Sequence, residues 1–373
     1  MRGFIIGKAT TAALLLLGST IGTVQAAPSN SHPPQYNGYS VATDAIEAMM
    51  SFYNQTDGRF STEAAWWLTG NALQATLDYM QKTGSRKYMS LAENTITKQR
   101  VPLSWWPSGG GDFRADSTDD TGWWALAMIR MYDLTGKKEY LEIAKEDEAY
   151  MYGYWNTTTC GGGIIWDIPS RTYHNAISNE LYLKVAASLH ARIPGDTYYL
   201  SHALEEWTWF QNSGMINSQF LINDGLTESN ESCTNNGKTT WTYNQGVILG
   251  ALVSLYQTSH DKTYLLTATQ IANAVIHNTT LSPDGILTEP CELTADCDSN
   301  GPAFKGIFVR NLAELDAVTP GNPYKSYLTN NARSAAVNDR NATGFYGLSW
   351  KGPFDEADIA RQTSALSLFV AAL

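Results

Sequence analysis

Two adjacent carboxylates, Asp119 and Asp120, precede an apolar helical run and are followed within one turn by Trp123 and Trp124. Glycoside hydrolysis uses such a pair. One carboxylate attacks the anomeric carbon, while the other protonates the leaving oxygen and later activates water. Carboxyl groups about 5 Å apart imply retention of configuration, and neighbours at a helix start can reach that distance. Acids are also ordinary in the first turn of a helix, so the pattern alone leaves a capping role open.

Aromatic and amide side chains stand where other helices are expected to begin. Such groups suit a neutral polyol, because amides bond its hydroxyls and aromatic rings cover its flat apolar faces. The candidate substrate-binding residues are Trp66, Trp67, Asn71, Trp123, Trp124, Asn175, Asn179, Trp241, Tyr243, Asn244, Gln245, Lys305 and Arg310. Each one taken singly is slightly better explained as a helix cap or a core residue. Their recurrence at successive helix starts favours a cleft.

Apolar residues at helical spacing predict twelve helices and no convincing long strand. The predicted ranges are 41–56, 63–83, 86–99, 118–135, 138–152, 175–192, 197–212, 242–259, 262–277, 303–318, 322–338 and 356–372. Short hairpin turns alternate with long links. These links fall at about 100–117, 153–174, 213–241, 278–302 and 339–355.

Five tyrosines mark a repeat of two helices and one long loop, because their spacings are 52, 58, 66 and 60 residues. They are Tyr88, Tyr140, Tyr198, Tyr264 and Tyr324. Such hairpins stack as an open solenoid or close into a ring. Pairing the first predicted helix with the last closes six hairpins, so we expect an all-α (α/α)6 toroid. The long links then lie at one end with the N-termini of the even-numbered helices, where we expect the functional site.

The first residues are typical of a secretory signal. Arg2 and Lys8 bracket a positive region, an apolar run follows, and Val24-Gln25-Ala26 supplies small residues for cleavage. We expect a signal peptide over 1–26, an N-terminal extension over 27–40 and a single catalytic domain over 41–373. The C-terminal residues 365–373 lack the spacer and tail of a lipid-anchor signal, so no membrane anchor is expected in this chain.

Cysteines and sequons fit an extracellular or cell-wall location. Cys160, Cys233, Cys291 and Cys297 allow three pairings, and the short separation favours Cys291 with Cys297, leaving Cys160 with Cys233. No cysteine or histidine spacing suggests a metal site. The candidate glycosylation sites are Asn54, Asn156, Asn230, Asn278 and Asn341.

Composition narrows the classes of partner. Of 373 residues, 43% are hydrophobic and 16% are charged, which provides for a large core and excludes disorder for the bulk of the chain. The net charge of −11 disfavours nucleic acid, since phosphate binding needs clustered Lys and Arg. Aromatic residues make up 12%, which in a secreted protein is explained equally well by a carbohydrate partner and by a large helical core. A soluble monomer is the default expectation.

Four stretches carry a family resemblance: STDDTGWWALAMIRMYDLTGKKEYL, HNAISNELYLKVAASLH, WTYNQGVILGAL and FKGIFVRNL. They resemble glycoside hydrolase family 76, the endo-α-1,6-mannanases and related fungal cell-wall enzymes, and the resemblance extends from about Tyr36 onward. It implies an (α/α)6 toroid and retaining cleavage of α-1,6-mannan or mannooligosaccharides without metal or organic cofactor. It also implies that Asp119 is the nucleophile and Asp120 the general acid/base.

Three alternatives to a secreted endo-α-1,6-mannanase remain open at this point. The family's fungal members include anchored wall proteins associated with transfer of mannan-bearing GPI anchors onto wall glucan, so a transglycosidase using the same aspartates is the first. A glycan-binding protein without activity is the second. A toroid acting on another polysaccharide, such as an unsaturated uronide, is the third, with Lys305 and Arg310 as its thin support.

Overall fold

Helices form nearly all the regular structure in residues 36–102, 111–228 and 233–373, which this computed structural model describes. Their bounds are α1 (Gly38–Met50), α2 (Trp66–Thr83), α3 (Met89–Gln99), α4 (Thr118–Thr135), α5 (Lys138–Tyr152), α6 (Ala176–Arg192), α7 (Tyr198–Asn212), α8 (Thr242–Ser259), α9 (Lys262–Ile276), α10 (Phe304–Val318), α11 (Lys325–Asn338) and α12 (Ile359–Ala372). The expected signal peptide and the Asn230 sequon lie outside the described residues.

The even-numbered helices form a closed inner ring. Each packs against the next, and α12 packs back against α2 as well as against α1. The inner helices are buried along almost their whole length, whereas the outer helices bury one face. This arrangement confirms the (α/α)6 toroid, including the pairing of the first helix with the last. Tyr36–Leu373 form one unit.

Glycine lets neighbouring inner helices approach closely. A Cβ atom added at Gly246 on α8 would lie 2.5 Å from the Cα of Phe308 on α10. A Cβ atom at Gly306 on α10 would lie 2.5 Å from the Cα of Ser364 on α12. Both distances are far below carbon–carbon contact, so a side chain at either position would push two helices of the ring apart.

The first helix ends earlier than its apolar pattern predicts. Residues after Met50 form a hairpin of β1 (Tyr53–Asn54) and β2 (Arg59–Phe60). The Asn54 side chain donates to Asp57 at 2.8 Å and accepts from the amide of Thr56 at 2.9 Å. Such local side-chain bonds compete with the helix ladder and favour a turn. The chain also forms a second ribbon, β3 (Leu226–Glu228) with β4 (Cys233–Asn235).

Side-chain amides at the inner helix starts fasten the preceding loops. Asn179 on α6 accepts from the amide of Ile164 at 2.6 Å and donates to its carbonyl at 3.0 Å. Gln245 on α8 makes the same two bonds with Ile222, both at 2.8 Å. Gln362 on α12 accepts from a loop amide at 3.0 Å. These clamps fix the loops that surround the mouth of the ring.

Two disulfides also hold these loops. Cys160 pairs with Cys233, and Cys291 pairs with Cys297, which is the pairing that the spacing favours. The first bond joins the loop before α6 to the ribbon before α8. Within the described parts of the chain, no helix has the length and apolar character needed to cross a membrane.

Candidate active site

The catalytic candidates lie in the first turn of α4, whose start is anchored to the loop before α6. The Thr118 amide donates to the Trp166 carbonyl at 3.1 Å, and its hydroxyl donates to the Ile165 carbonyl at 2.9 Å. The first turn of α4 is thereby bonded to this loop at two points. Asp119 Oδ1 accepts the amide of Asp120 at 3.0 Å, so the helix N-terminus itself holds this carboxylate.

Both carboxylates face a cavity of about 410 Å³ at the mouth of the ring. Segments from four links and four inner helices converge on it. Its lining consists of Ala65, Trp67, Ser117, Asp119, Asp120, Trp123, Trp166, Tyr173, Asn175, Asp224, Tyr243, Asn300 and Phe304. None of these lining residues is Lys, Arg or His. The cavity therefore combines aromatic surface with carboxylates and amides, which suits a neutral sugar better than an anionic one.

The environment drives the two carboxylates toward different protonation states. Burial raises the pKa of Asp119 to about 6, against the opposing effect of bonds from Ser117, the Asp120 amide and Trp166. Burial, together with the charges of Asp119 and Asp116, raises the pKa of Asp120 well above its ordinary value. Like charges this close resist double ionisation. Near neutral pH the pair thus holds one ionised and one protonated carboxyl group, as an attacking carboxylate and a general acid require.

The α5–α6 and α7–α8 loops add hydrogen-bonding groups on one side of the cavity. The Trp166 indole donates to Asp119 Oδ1 at 3.1 Å. The Tyr173 hydroxyl donates to Asp224 and accepts from the side-chain amide of Asn236 at 3.0 Å. Burial raises the pKa of Tyr173, so the phenol stays protonated as a donor. Asp224 is therefore oriented by a phenol and opens onto the cavity.

Aromatic rings from the inner helices form a further part of the lining. Trp67 stacks on Trp123 with centroids 5.9 Å apart, and Tyr243 stacks on Phe304 at 3.9 Å. The Trp67 indole donates to Asn300 Oδ1 at 3.0 Å, which fixes its plane. Flat apolar faces held rigidly in this way are surfaces on which pyranose rings can stack.

Four of the predicted binding residues line the cavity: Trp67, Trp123, Asn175 and Tyr243. Trp66 and Trp124 are core residues instead. Their rings pack together at 5.0 Å, and Trp124 stacks on Phe113 at 4.5 Å. The Trp66 indole is bonded to Gln99 at 2.9 Å.

The predicted amides have mostly structural contacts. Asn179 and Gln245 are the loop clamps described above. Asn71 is buried and donates to the carbonyl of Trp67 at 3.3 Å, and Asn244 is fully buried. The structure therefore places these four amides below the cavity rather than in its lining.

The remaining predicted residues, Trp241, Lys305 and Arg310, also lie outside the lining. Trp241 packs edge-on against Phe304 at 5.7 Å. Lys305 is buried, with its ammonium 2.5 Å from Glu292 and above the ring of Trp350 at 4.6 Å.

The guanidinium of Arg310 lies 5.6 Å from the ring of Trp123 and lines a separate cavity that faces the opposite end of the ring. A residue's position near the start of an inner helix shows at which end of the toroid it lies, but not whether its side chain points into the cavity.

Seven lining residues were not among the candidates from the sequence. Ala65, Ser117 and Phe304 lie at or next to helix starts, and the other four are Trp166, Tyr173, Asp224 and Asn300. All four lie on long links, where no periodicity marks a buried or inward position. Their types are the same as those singled out elsewhere, so residue type was a usable signal. The positions of Trp166, Tyr173 and Asp224 depend on the Cys160–Cys233 disulfide and on the clamps at Asn179 and Gln245, and the clamps are seen only in the folded chain.

One group of potential metal ligands occurs in the described residues: Cys160, His174 and Glu228, whose ligand atoms lie within 4.8 Å of one another. The Cys160 sulfur is bonded to Cys233, and His174 Nδ1 is 2.8 Å from Glu228 Oε1. A disulfide sulfur has no thiolate to offer, so these residues do not fit a metal ion.

Known proteins share this architecture. Mannan endo-1,6-alpha-mannosidase DFG5 of Saccharomyces cerevisiae is 26% identical over 337 residues, covering 85% of this chain and 72% of that protein. The GH76A alpha-1,6-mannanase of Salegentibacter sp. HEL1_6 superposes with a TM-score of 0.80 at 24% identity, covering 90% of this chain and 99% of that one.

An inactive variant of that mannanase, with two consecutive aspartates replaced by asparagine, has been solved in complex with alpha-1,6-mannotriose. It is 23% identical to this chain, covers 90% of it and 99% of its own length, and has a TM-score of 0.80. The model of glycosyl hydrolase family 76 matches residues 38–373. With a match across nearly the whole chain, this protein belongs to glycosyl hydrolase family 76.

Proposed function

We propose that this protein is a secreted, retaining endo-α-1,6-mannanase that cleaves the backbone of α-1,6-linked mannan. The observation that carries the proposal is the pair of adjacent carboxyl groups, Asp119 and Asp120, held in an aromatic cavity that drives their protonation states apart. Family membership and the substrates named for the relatives support the choice of linkage and sugar.

In the first step, the Asp119 carboxylate attacks C1 of a mannosyl unit, and the C1–O6 bond to the next mannose breaks. Asp120 gives its proton to the departing O6, which leaves a glycosyl ester on Asp119. In the second step, ionised Asp120 takes a proton from water, and the oxygen of that water attacks C1. Asp119 leaves as a carboxylate, and two inversions give net retention.

The other lining groups have roles in binding. The stacked pairs Trp67–Trp123 and Tyr243–Phe304 offer apolar faces to the sugar rings. Asn175 and Asp224 offer an amide and a carboxylate to its hydroxyls. A chain passing through an open mouth at the end of the ring can be cut internally, which fits an endo-acting enzyme.

The first test is product analysis with linear α-1,6-mannan, in water and then with an added oligosaccharide acceptor. Short mannooligosaccharides of α configuration in both conditions are the expected result. Acceptor-linked products with little free sugar would assign the protein to the transglycosidase class instead. Binding of mannan without cleavage would contradict both.

Asparagine variants then separate the two aspartate roles. Asp119→Asn should abolish turnover of every substrate. Asp120→Asn should lose cleavage of mannan but retain the first step on a mannoside with an activated aryl leaving group, because such a group departs without a proton. Asp296→Asn, at an exposed loop position, is the matched control and should behave like the wild type. Normal mannan turnover by Asp119→Asn would refute the assignment.

A further inference from the structure

Trp166 contacts the catalytic pair from a different segment of the chain. It lies on the loop between α5 and α6, its side chain is 38% exposed, and it lines the cavity. Its indole Nε1 donates to Asp119 Oδ1 at 3.1 Å. The same oxygen accepts the amide of Asp120 at 3.0 Å, so Oδ1 is held by two donors in fixed positions.

Both backbone groups of Trp166, its amide and its carbonyl, are hydrogen-bonded. Its carbonyl accepts the Thr118 amide at 3.1 Å, and its amide donates to the Tyr173 carbonyl at 2.9 Å. The indole also packs edge-on against Tyr173, with centroids 6.2 Å apart. The loop is further tied by the Asn179 clamp. The fold of the loop itself thus directs the indole N–H at Asp119, which is the arrangement expected of a preorganised donor.

Neutral donors are what stabilise the Asp119 carboxylate. No cationic side chain is found among the cavity-lining residues that the structure describes. The titratable groups around Asp119 are acidic or phenolic: Asp116, Asp120, Tyr173, Asp224 and Tyr243. The donors to Asp119 are Ser117, the Asp120 amide and Trp166. Of these, Trp166 alone comes from outside the start of α4.

We propose that Trp166 is a positioning residue of the reaction, whose indole N–H fixes Asp119 Oδ1 so that Oδ2 is presented to the anomeric carbon. This inference rests on the proposed function. When the C1–Oδ2 bond forms, Oδ1 becomes the carbonyl oxygen of the ester and the indole bond to it weakens. When that bond breaks, the negative charge returns to the carboxylate, and the same N–H stabilises it. The donor therefore assists the departure of Asp119 in the second step.

Trp166→Phe tests this, because it keeps an aromatic ring and removes the N–H. The partly exposed side chain makes the replacement compatible with folding, which thermal melting checks. A hydrogen bond to a charged group predicts a fall in kcat of roughly tenfold or more, with KM changed less. Loss of a donor also raises the pKa of Asp119, so the acidic limb of kcat/KM should move upward by roughly half to one pH unit.

Trp155→Phe is the matched control, because Trp155 lies on the same loop and packs against Tyr152 and Trp209 instead of the pair. It should leave the acidic limb unchanged. A purely structural role for Trp166 would lower melting temperature and activity without moving that limb. An unchanged kcat and an unchanged limb in Trp166→Phe would overturn the proposal.

A second measurement separates this proposal from the function itself. The pH dependence of carbodiimide labelling at Asp119, followed by peptide mass mapping, reports the protonation of this carboxyl group without a substrate. Its midpoint should rise in Trp166→Phe and stay in place in Trp155→Phe. A wild type that does not cleave α-1,6-mannan would refute the proposed function, whereas a fixed labelling midpoint would refute the role of Trp166.

Discussion

Breaking the Cys160–Cys233 disulfide should loosen the mouth of the toroid before it unfolds the ring. The bond closes a loop with a sequence separation of 73, and chain entropy predicts that its removal costs about 4 kcal/mol of unfolding free energy at 25 °C. The Cys291–Cys297 bond, with a separation of 6, is predicted to contribute only about 2 kcal/mol. The two bonds therefore serve as each other's control.

The assay compares the two double serine variants with the wild type. With unfolding entropies near 2.1 cal/mol/K per residue, the melting temperature should fall by about 6 °C for Cys160→Ser with Cys233→Ser and by about 3 °C for the other pair. Urea unfolding with an unchanged slope would show that the unfolded states are comparable.

In the variant that lacks the Cys160–Cys233 disulfide, activity should be lost at temperatures where the fold is still intact. The broken bond joins the loop that carries Trp166 and Tyr173 to the segment that follows Asp224, so three lining residues lose a common tether. We expect kcat/KM to drop while helical circular dichroism is retained below the transition. An equal or larger loss of stability in the Cys291–Cys297 variant would refute the entropic reasoning. Unchanged activity in the Cys160–Cys233 variant would refute the tether.

Two other predictions concern the toroid as a whole. Burial raises the pKa of Asp147, Glu180 and Glu206 well above their ordinary values. Above the ordinary carboxyl pKa the folded state then binds more protons than the unfolded state. The free energy of unfolding should therefore decrease as the pH rises above about 4, and Glu206→Gln should flatten that slope in urea titrations. A slope of the opposite sign would contradict this. Gly246→Ala should destabilise the fold by about 1–3 kcal/mol through its clash with Phe308, measured by thermal melting. Gly38→Ala is the control, because its added Cβ would meet only side-chain ends of Leu373 and Tyr36, and it should change the melting temperature little.

Apolar periodicity predicted the helices because an inner helix that is buried on all sides needs apolar residues along most of its length. The bounds of α4 and α5 agree with the prediction at both ends. The prediction extended α1 to residue 56 because Phe52 and Tyr53 continue its apolar spacing. In the folded chain, the Asn54 turn outweighs that signal. Closure of the ring was predicted because the first and last helices each lack a hairpin partner next to them in the chain. That argument depends on the order of the helices and not on the helix propensity of the residues.

The site was harder to predict because its residues come from two kinds of segment. Asp119, Trp123 and Tyr243 lie on helices and carry a positional signal. Trp166 and Asp224 lie on links whose paths depend on long-range clamps, and no local rule gives those paths. Asn179 and Gln245 were singled out for binding, and the structure places their amides on backbone groups outside the lining. A buried amide that bonds backbone and a buried amide that bonds sugar look identical in sequence.

The amide clamps at the inner helix starts have a consequence for how such a protein can change over generations. Three links are fastened to the inner helix that follows them by an amide side chain, at Asn179, Gln245 and Gln362. The part of such a link that lies away from its clamp can therefore lengthen, shorten or change in sequence while the ring keeps its place. The links before α6 and α8 are also joined to each other by the Cys160–Cys233 disulfide, so we expect these two to change together. Substrate range and reaction outcome become separable from fold stability, so one scaffold can be adapted link by link to new glycans.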